Sequence, residues 1–457
     1  MLGGFHGGYA MQDAQGLALT VASAAAARAY DHVIEGFLKY RFDAGLRLKA
    51  FRTLDPQAPL GQVISGCFAM LAYDRGMLAR AEAAATAAEA MQANPRERAH
   101  AAALRAWVAG APERALSVWE QIVAEYPQDL LAFRLHHFTA FWMGAPERML
   151  ALVEQAMPRW SPAMPGYGSV LACRCFAHEE CGSYLIAEHA GRDAVALDAG
   201  DLWAAHGVAH VLEMQGRRAE GLDWIAALEP NWEGGNNLMH HLWWHQAMFH
   251  MEQRDFAAVL MLYDTRFRNL DSKVTQAQPD LYIDMQNAAS MLYRLGLRGV
   301  DAGARWTELA DKAEARIGDT LSAFTQPHWM MALVATGRQQ AAARLLAALE
   351  EAACGNTPHA RILREAALPA SRAVLLHGER RHAEACAALR PAIGVLHRLG
   401  GSHAQQDVLE QLFLDAAMQA GRSGDARLLL QRVAARHPVP PARRVGYAEA
   451  ALAVGGF

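Results

Sequence analysis

The sequence predicts an all-α chain, a right-handed superhelix (solenoid) of antiparallel helix pairs in which each repeat buries its apolar stripe against its neighbours. Three observations carry that expectation. Helical periodicity runs from Gly16 onward, broken at intervals by Gly, Pro or short polar links. Alanine is abundant and β-branched residues are sparse, which favours helix nearly everywhere. Nowhere does a strand-like alternation compete.

Taken in order, the first helix is expected over about 17–42. After a break at Asp55-Pro56, helices are expected over 63–73 and 78–91. Asn94-Pro95 opens the next, since proline is well tolerated in a first helical turn. From Ala111 a period appears. P-E-R-A-L-S-V-W-E-Q, starting at Pro112, is answered by P-E-R-M-L-A-L-V-E-Q, starting at Pro146, with Glu113 and Glu147 in matching places. Similar second helices are expected near Ser183, Arg217 and Asp255, so the spacing stays around 34 to 38 residues. That is the period of tetratricopeptide-type helix pairs. Further pairs are read over 305–336, 338–353, 359–377, 380–399, 404–421 and 425–437. The organisation expected is a tail over 1–15 and one continuous tetratricopeptide-like solenoid over 16–457, with His-rich central repeats at about 170–300. The stretch 157–168, rich in Pro and Gly and carrying Trp160 and Tyr167, is too long for an ordinary inter-repeat turn. It reads as a rigid spacer, the alternative being a cover over one mouth of the concave side.

The totals narrow the function classes. With 53% hydrophobic and 20% charged residues the chain can build a sizeable core and is unlike a disordered protein. A net charge of −4 offers no basic footprint for nucleic acid. No apolar run approaches the ~20 residues needed to span a bilayer, so no membrane partner is expected. The N-terminus lacks the basic start and apolar core of a signal peptide, which points to a cytoplasmic protein. Six cysteines do not argue otherwise, and the spacing of Cys173, Cys175 and Cys181 is not that of a zinc ribbon. A homo-oligomer is compatible with all of this.

The candidate chemistry lies between Asp201 and Asp264, where six histidines fall: His206, His210, His240, His241, His245 and His250. Residues four apart on a helix sit one turn above each other. His206 and His210 therefore share a face, with Glu213 further along it, and His241 and His245 share another, extended backward by Asn237. If the two helices pack as neighbours, one polar patch holds four imidazoles and a carboxylate.

Several strings carry a family resemblance: the run from Trp203 through His206 and His210 to Met214, the H-L-W-W-H of His241 to His245, S-M-L-Y-R-L from Ser290 with Arg305-Trp306 after it, P-H-W-M-M-A around His328, and G-G-S-H-A-Q-Q-D-V from Gly400. On these the chain resembles the tetratricopeptide repeat protein 38 family over nearly its whole length. The resemblance implies an all-helical repeat fold in one continuous solenoid and implies no particular reaction. It also sorts the polar residues. His206, His210, Glu213, His241 and His245 match family positions, as do Asp201, Glu179, His137, Asp284, His328, Gln405 and Asp407. His240 and His250 stand where the family has other residue types and are set outside the core site. Asn287 stands where an aspartate is usual, Phe138 likewise replaces an aspartate beside His137, and His403 replaces an asparagine.

Three readings follow. In the first, His206, His210, His241 and His245 hold a divalent metal such as zinc, with Asp201, Glu213 or Asp284 as further ligands or orienting groups. H-x-x-x-H with Gly207 after the first histidine is not the zincin motif, which has glutamate there. In the second, the same residues act without metal as general acid and base, beside aromatic walls from Trp203, Trp243, Trp244 and Tyr282 suited to a small organic ligand. In the third, the polar residues bridge helices in a scaffold that binds a peptide or protein partner. Because leaving a buried polar group unpaired costs about 1–3 kcal/mol, a dozen such groups favour a pocket over packing. The expectation is therefore an enzyme of hydrolase or lyase type, or a binder, acting on a small polar organic molecule at the inner face. Its central residues are His206, His210, His241 and His245, with Glu179, Asp201, Glu213 and Asp284 as partners. Trp203, Trp244, Asn237, His137, His328, Gln405 and Asp407 are the candidate ligand contacts.

Overall fold

The computed structural model describes residues 11–455. Helices follow one another from Ala24–Leu38 to Ala448–Val454, and the described residues contain one sheet, a hairpin pairing Met11–Gln12 antiparallel with Ala18–Leu19. Residues 1–10 of the expected tail lie outside the described residues. Residues 11–15 belong to this hairpin, whose turn is tied by Asp13 accepting from the N–H groups of Gln15 and Leu17. Two-residue strands are too short to register as alternation in the sequence. The first helix begins at Ala24, not Leu17, because Ser23 caps it by accepting from the Ala26 N–H. The pair expected over 305–336 is formed by Arg305–Ala315 and Thr325–Ala335, parted at Gly318 where φ is +92°.

The repeat is built by one device used again and again. Second helices start at Pro112, Pro146, Tyr184, Arg218 and Phe256, at intervals of 34 or 38 residues. Before each, the chain passes through the left-handed region, at Gly110, Gly144, Gly182, Gly216 and Arg254. At each turn the next amide reaches back to a carbonyl five residues earlier: Ala111 to Ala106, Ala145 to Ala140, Ser183 to His178, Arg217 to Leu212, and Asp255 to His250. This is a Schellman ending, which satisfies the last carbonyls of the first helix while reversing the chain.

The helices fall into two compact units. One holds the residues up to Thr139 together with Arg148–Val170; the other holds Ala140–Glu147 and the residues from Leu171 onward. The periodicity by itself draws no such division. In the first unit, a buried ion cluster ties the Pro95–Val108 helix to the start of Leu130–Trp142. Asp129 accepts from Arg96 Nη1 at 2.5 Å and lies 2.9 Å from His100 Nε2, with Asp13 at 3.9 Å from the same guanidinium. The 157–168 stretch lies wholly in this unit and is pinned there, with Trp160 Nε1 donating to the Pro127 carbonyl at 3.0 Å.

In the second unit, the first helices of successive pairs line up. Leu202–Met214 packs on Leu238–Glu252, which packs on Tyr282–Gly296, and that helix meets both Thr325–Ala335 and His403–Gln419. The segment 437–447 then returns across the turn that opens the Arg218–Leu228 helix. Arg218 donates to the Arg443 carbonyl at 2.9 Å, and Glu252 accepts from the Val445 N–H at 3.3 Å. The return closes one end of the row formed by Leu202–Met214 and Leu238–Glu252.

Two outcomes are expected. Arg254 holds the left-handed position with a Cβ (φ +60°), which costs an L residue about 1–2 kcal/mol. Arg254→Gly should therefore raise stability by up to about 1 kcal/mol in urea denaturation, and a loss of stability would contradict this account of the turn. Burial would push the Asp129 carboxyl up, but His100 and Arg96 together hold it well below the usual carboxylate range. A depressed folded-state value contributes stability that is fully present above the unfolded value, near pH 4, and is lost as pH falls toward the folded one. Asp129→Asn should cost about 3–5 kcal/mol at pH 7, because Arg96 stays buried without its carboxylate, and the difference from wild type should shrink below pH 4.

Candidate metal centre

The site is built in the second unit by the C-terminal end of Tyr167–Glu180 and by Leu202–Met214, Leu238–Glu252 and Tyr282–Gly296. Leu202–Met214 is fixed at its start by Asp201, which accepts from the N–H groups of Trp203 and Ala204. Its approach to the Glu179 helix is permitted by Gly207, since a Cβ there would stand 2.6 Å from Cys175 Sγ. That contact accounts for glycine following His206. Behind the other histidine helix, Gly221 plays the same part, because a Cβ would meet the Phe249 ring at 2.3 Å.

With the backbones so close, the four imidazoles of His206, His210, His241 and His245 converge. Each is buried, none more than 3% exposed, and each offers a nitrogen within 4.8 Å of the others. His206 Nε2 and His210 Nε2 are 3.0 Å apart. Ring centroids of His210 and His245 lie 4.4 Å apart, and those of His206 and His241 4.9 Å apart. Aromatic neighbours fix the ring planes: Trp203 and Phe176 against His206 at 4.7 and 5.2 Å, and Trp244 parallel to His241 at 5.3 Å.

The outer nitrogens meet polar groups. Glu213 Oε2 accepts from His245 Nδ1 at 2.6 Å, and Glu179 Oε2 stands 3.7 Å from His210 Nδ1. Asn287 Nδ2 lies 3.0 Å from His241 Nδ1, and Asn287 Oδ1 has no hydrogen-bond partner. A half-turn of that amide presents the oxygen from the same place, which puts the proton on Nδ1 and the lone pair on Nε2. His245 Nε2 is buried with no hydrogen-bond partner. Outer nitrogens held by carboxylates or amides, with inner nitrogens turned together, is the arrangement that orients metal-binding histidines.

Electrostatics favour neutral ligands. Burial pushes His245 down to about 3, and burial with neighbouring imidazoles takes His210 and His241 well below the ordinary range. Burial pushes Glu213 up to about 8 and Glu180 up to about 8, and it raises Glu179 well above the ordinary carboxylate range, with Glu180 and Glu213 adding to it. Near pH 7 His210, His241 and His245 are held unprotonated and the acids beside them toward the uncharged form, with Arg294 and Arg444 the cations that act on Glu213 from beyond the imidazoles. Neutral imidazole is the form that binds a dication.

Beyond Glu213 lies a cavity of about 30 Å³, room for roughly two waters. Glu213, Arg218, Met248, Glu252, Asp407 and Arg444 are among the residues that line it. Asp407 accepts from Arg444 Nη2 at 2.7 Å and from the Tyr447 hydroxyl at 2.5 Å. Arg218 Nε and Arg444 Nη1 are buried with no hydrogen-bond partner.

The remaining candidates from the sequence fall elsewhere. Asp284 is bound by His240, Nδ1 to Oδ2 at 3.0 Å, rather than by the four imidazoles. Both residues are buried, so His240, set outside the core site on sequence grounds, is a polar bridge one residue from a cluster member. Asp201 serves as a helix cap. Asn237 precedes Leu238–Glu252 without making a side-chain cap. His137 is buried and belongs to the first unit. His328 Nδ1 donates to the Phe324 carbonyl at 2.7 Å, and burial lowers it to about 4. Gln405 forms a capping box with Ser402 at the head of His403–Gln419; the S-x-x-Q spacing is a legible sign of that role. Glu180, Arg218 and Arg444 were not singled out as site residues. Nor was a half-exposed group in which His377 is held by Asp415 at 2.7 Å and by the Tyr293 hydroxyl at 3.0 Å, with His382 alongside.

No disulfide joins the six cysteines, and among the described residues no helix is long and apolar enough to cross a membrane. No protein-family model matches the chain.

Gly207→Ala tests the packing beneath the cluster. The added methyl has no room against Cys175, so we expect a loss of about 1–3 kcal/mol in urea denaturation. The paired change Gly207→Ala with Cys175→Ala should recover part of that loss, and a neutral single variant would contradict the close approach.

Proposed function

We propose that the chain is a metal-dependent enzyme of hydrolase or lyase type acting on a small polar organic molecule, with His206, His210, His241 and His245 as the metal ligands. One observation carries this reading: four buried imidazoles whose ligand nitrogens lie within 4.8 Å of one another. An all-nitrogen set of this kind suits zinc, iron, copper or nickel, and zinc is the cation we favour. When bound, such a cation supplies Lewis acidity, polarising a carbonyl or making water a better nucleophile.

The chain's own residues have distinct tasks under this proposal. Glu213 touches both His245 and the cavity, so it orients one ligand and takes or returns a proton on the cavity side. Arg218 Nε and Arg444 Nη1 supply donors for a carboxylate or carbonyl oxygen. Trp203 and Trp244 keep their imidazole partners from turning and exclude water from the inner nitrogens. The resemblance to the tetratricopeptide repeat protein 38 family is part of the same proposal and adds no reaction to it.

Metal content of purified protein, by plasma mass spectrometry, tests this directly. Wild type should carry near-stoichiometric metal, and a His206→Ala/His241→Ala double variant that remains helical should carry none. At a thousandfold excess over the dissociation constant, metal should stabilise the wild type by about 4 kcal/mol and leave the variant unmoved. A folded wild type that neither contains nor takes up metal would sink the proposal and leave the interaction scaffold as the better reading.

A further inference from the structure

We propose a second divalent-cation site beside the first, formed by Glu179, Glu180 and Nδ1 of His210, so that His210 serves each site with one ring nitrogen. The inference rests on the four-histidine group being a metal centre, because His210 belongs to both.

Its starting point is a pair of buried acids, Glu179 and Glu180, that face each other closely enough to share a proton when uncharged and otherwise lack donors for most of their oxygens. Beyond that contact, neither carboxyl oxygen of Glu179 has a hydrogen-bond partner, and Oε1 of Glu180 has none. Both residues are buried, Glu179 completely, and among the described residues neither forms an ion pair with lysine or arginine. His210, itself 1% exposed, stands beside them with an Nδ1 that has no hydrogen-bond partner, and Arg436 acts on Glu180 from further off. That Nδ1 stands 3.7 Å from Glu179 Oε2, and one ligand atom from each of the three residues lies within 4.8 Å of the others. The opposite nitrogen of the same ring, Nε2, faces His206 at 3.0 Å. The two ring nitrogens therefore look into two different groups of donors.

Two adjacent buried acids with no lysine or arginine in ion-pair contact, beside a ring nitrogen that lacks a hydrogen bond, are what a cation site presents when its ligands are in place. Two carboxylates with one imidazole make a harder donor set than four imidazoles, suited to manganese, iron or zinc as the divalent ion. On binding, the acids release their protons to solvent, and the His210 ring, bound on both sides, gives up its remaining N–H proton too. The positions of Glu179 and Glu180 follow from the Tyr167–Glu180 helix, whose close contact with Leu202–Met214 at Gly207 brings them to the His210 face.

The test is a calorimetric titration with Zn²⁺ alone of metal-stripped wild type, Glu179→Gln and Glu180→Gln. It is joined by zinc-edge anomalous diffraction from zinc-loaded wild-type crystals, which needs no variant to fold. Glutamine keeps the shape of the uncharged acid, so both variants should remain folded by circular dichroism. We expect two equivalents in wild type, one in each variant, and two anomalous peaks on opposite sides of the His210 ring. One equivalent in all three proteins, with a single peak among the four imidazoles, would overturn the second site and leave the first intact. Two equivalents retained in both variants would overturn it as well. No zinc in wild type would remove both sites together.

Discussion

Four imidazoles packed against one another out of water cannot all be charged, and the surrounding structure is arranged to keep them neutral. Burial drives His210, His241 and His245 down, and the same burial drives Glu179, Glu180 and Glu213 up. The resulting pocket is rich in lone pairs and poor in charge. Isolated buried polar atoms of this kind cost about 1–3 kcal/mol each, so the cluster calls for a compensating interaction. A dication bound by the imidazoles, with Glu213 ionised behind His245, would give those ring nitrogens and Glu213 a partner.

The repeat architecture supplies the geometry. Each helix pair reverses through a left-handed residue, so the first helices of neighbouring pairs come side by side with their histidine faces in register. Gly207 and Gly221 then shorten the distances that matter, one under His206 and one behind the helix of His241 and His245. The return of 437–447 completes the surroundings by placing Arg444 and Tyr447 on Asp407, beyond Glu213. Packing, ligand placement and cavity are thus consequences of the same close helix contacts.

Much of this was legible in the sequence because it depends on short-range geometry. One-turn spacing fixed which histidines share a face, and the period placed the two bearing helices next to each other. Contacts that depend on register between helices were not legible. The periodicity does not say that Asp284 pairs with His240 instead of the cluster, or that Glu180 turns toward His210. Contacts from far along the chain were hidden for a different reason. Arg444 reaches the cavity only because the last repeats fold back onto the central ones, and nothing local to residues 437–447 signals where they dock. Asp201 and Gln405 were read as site residues although both sit at helix starts, where a carboxylate or amide that caps the first turn is the ordinary explanation. Residues 11–19 escaped notice because a hairpin of two-residue strands leaves no periodic trace.

The central claim is that the four imidazoles bind one metal ion together, and X-ray absorption at the zinc edge tests it most directly. For the Glu180→Gln protein loaded with one equivalent of zinc, the account predicts about four nitrogen neighbours at roughly 2.0–2.1 Å, with the outer-shell scattering of imidazole rings. A shell dominated by oxygen or sulfur, or zinc that washes away on buffer exchange, would contradict it.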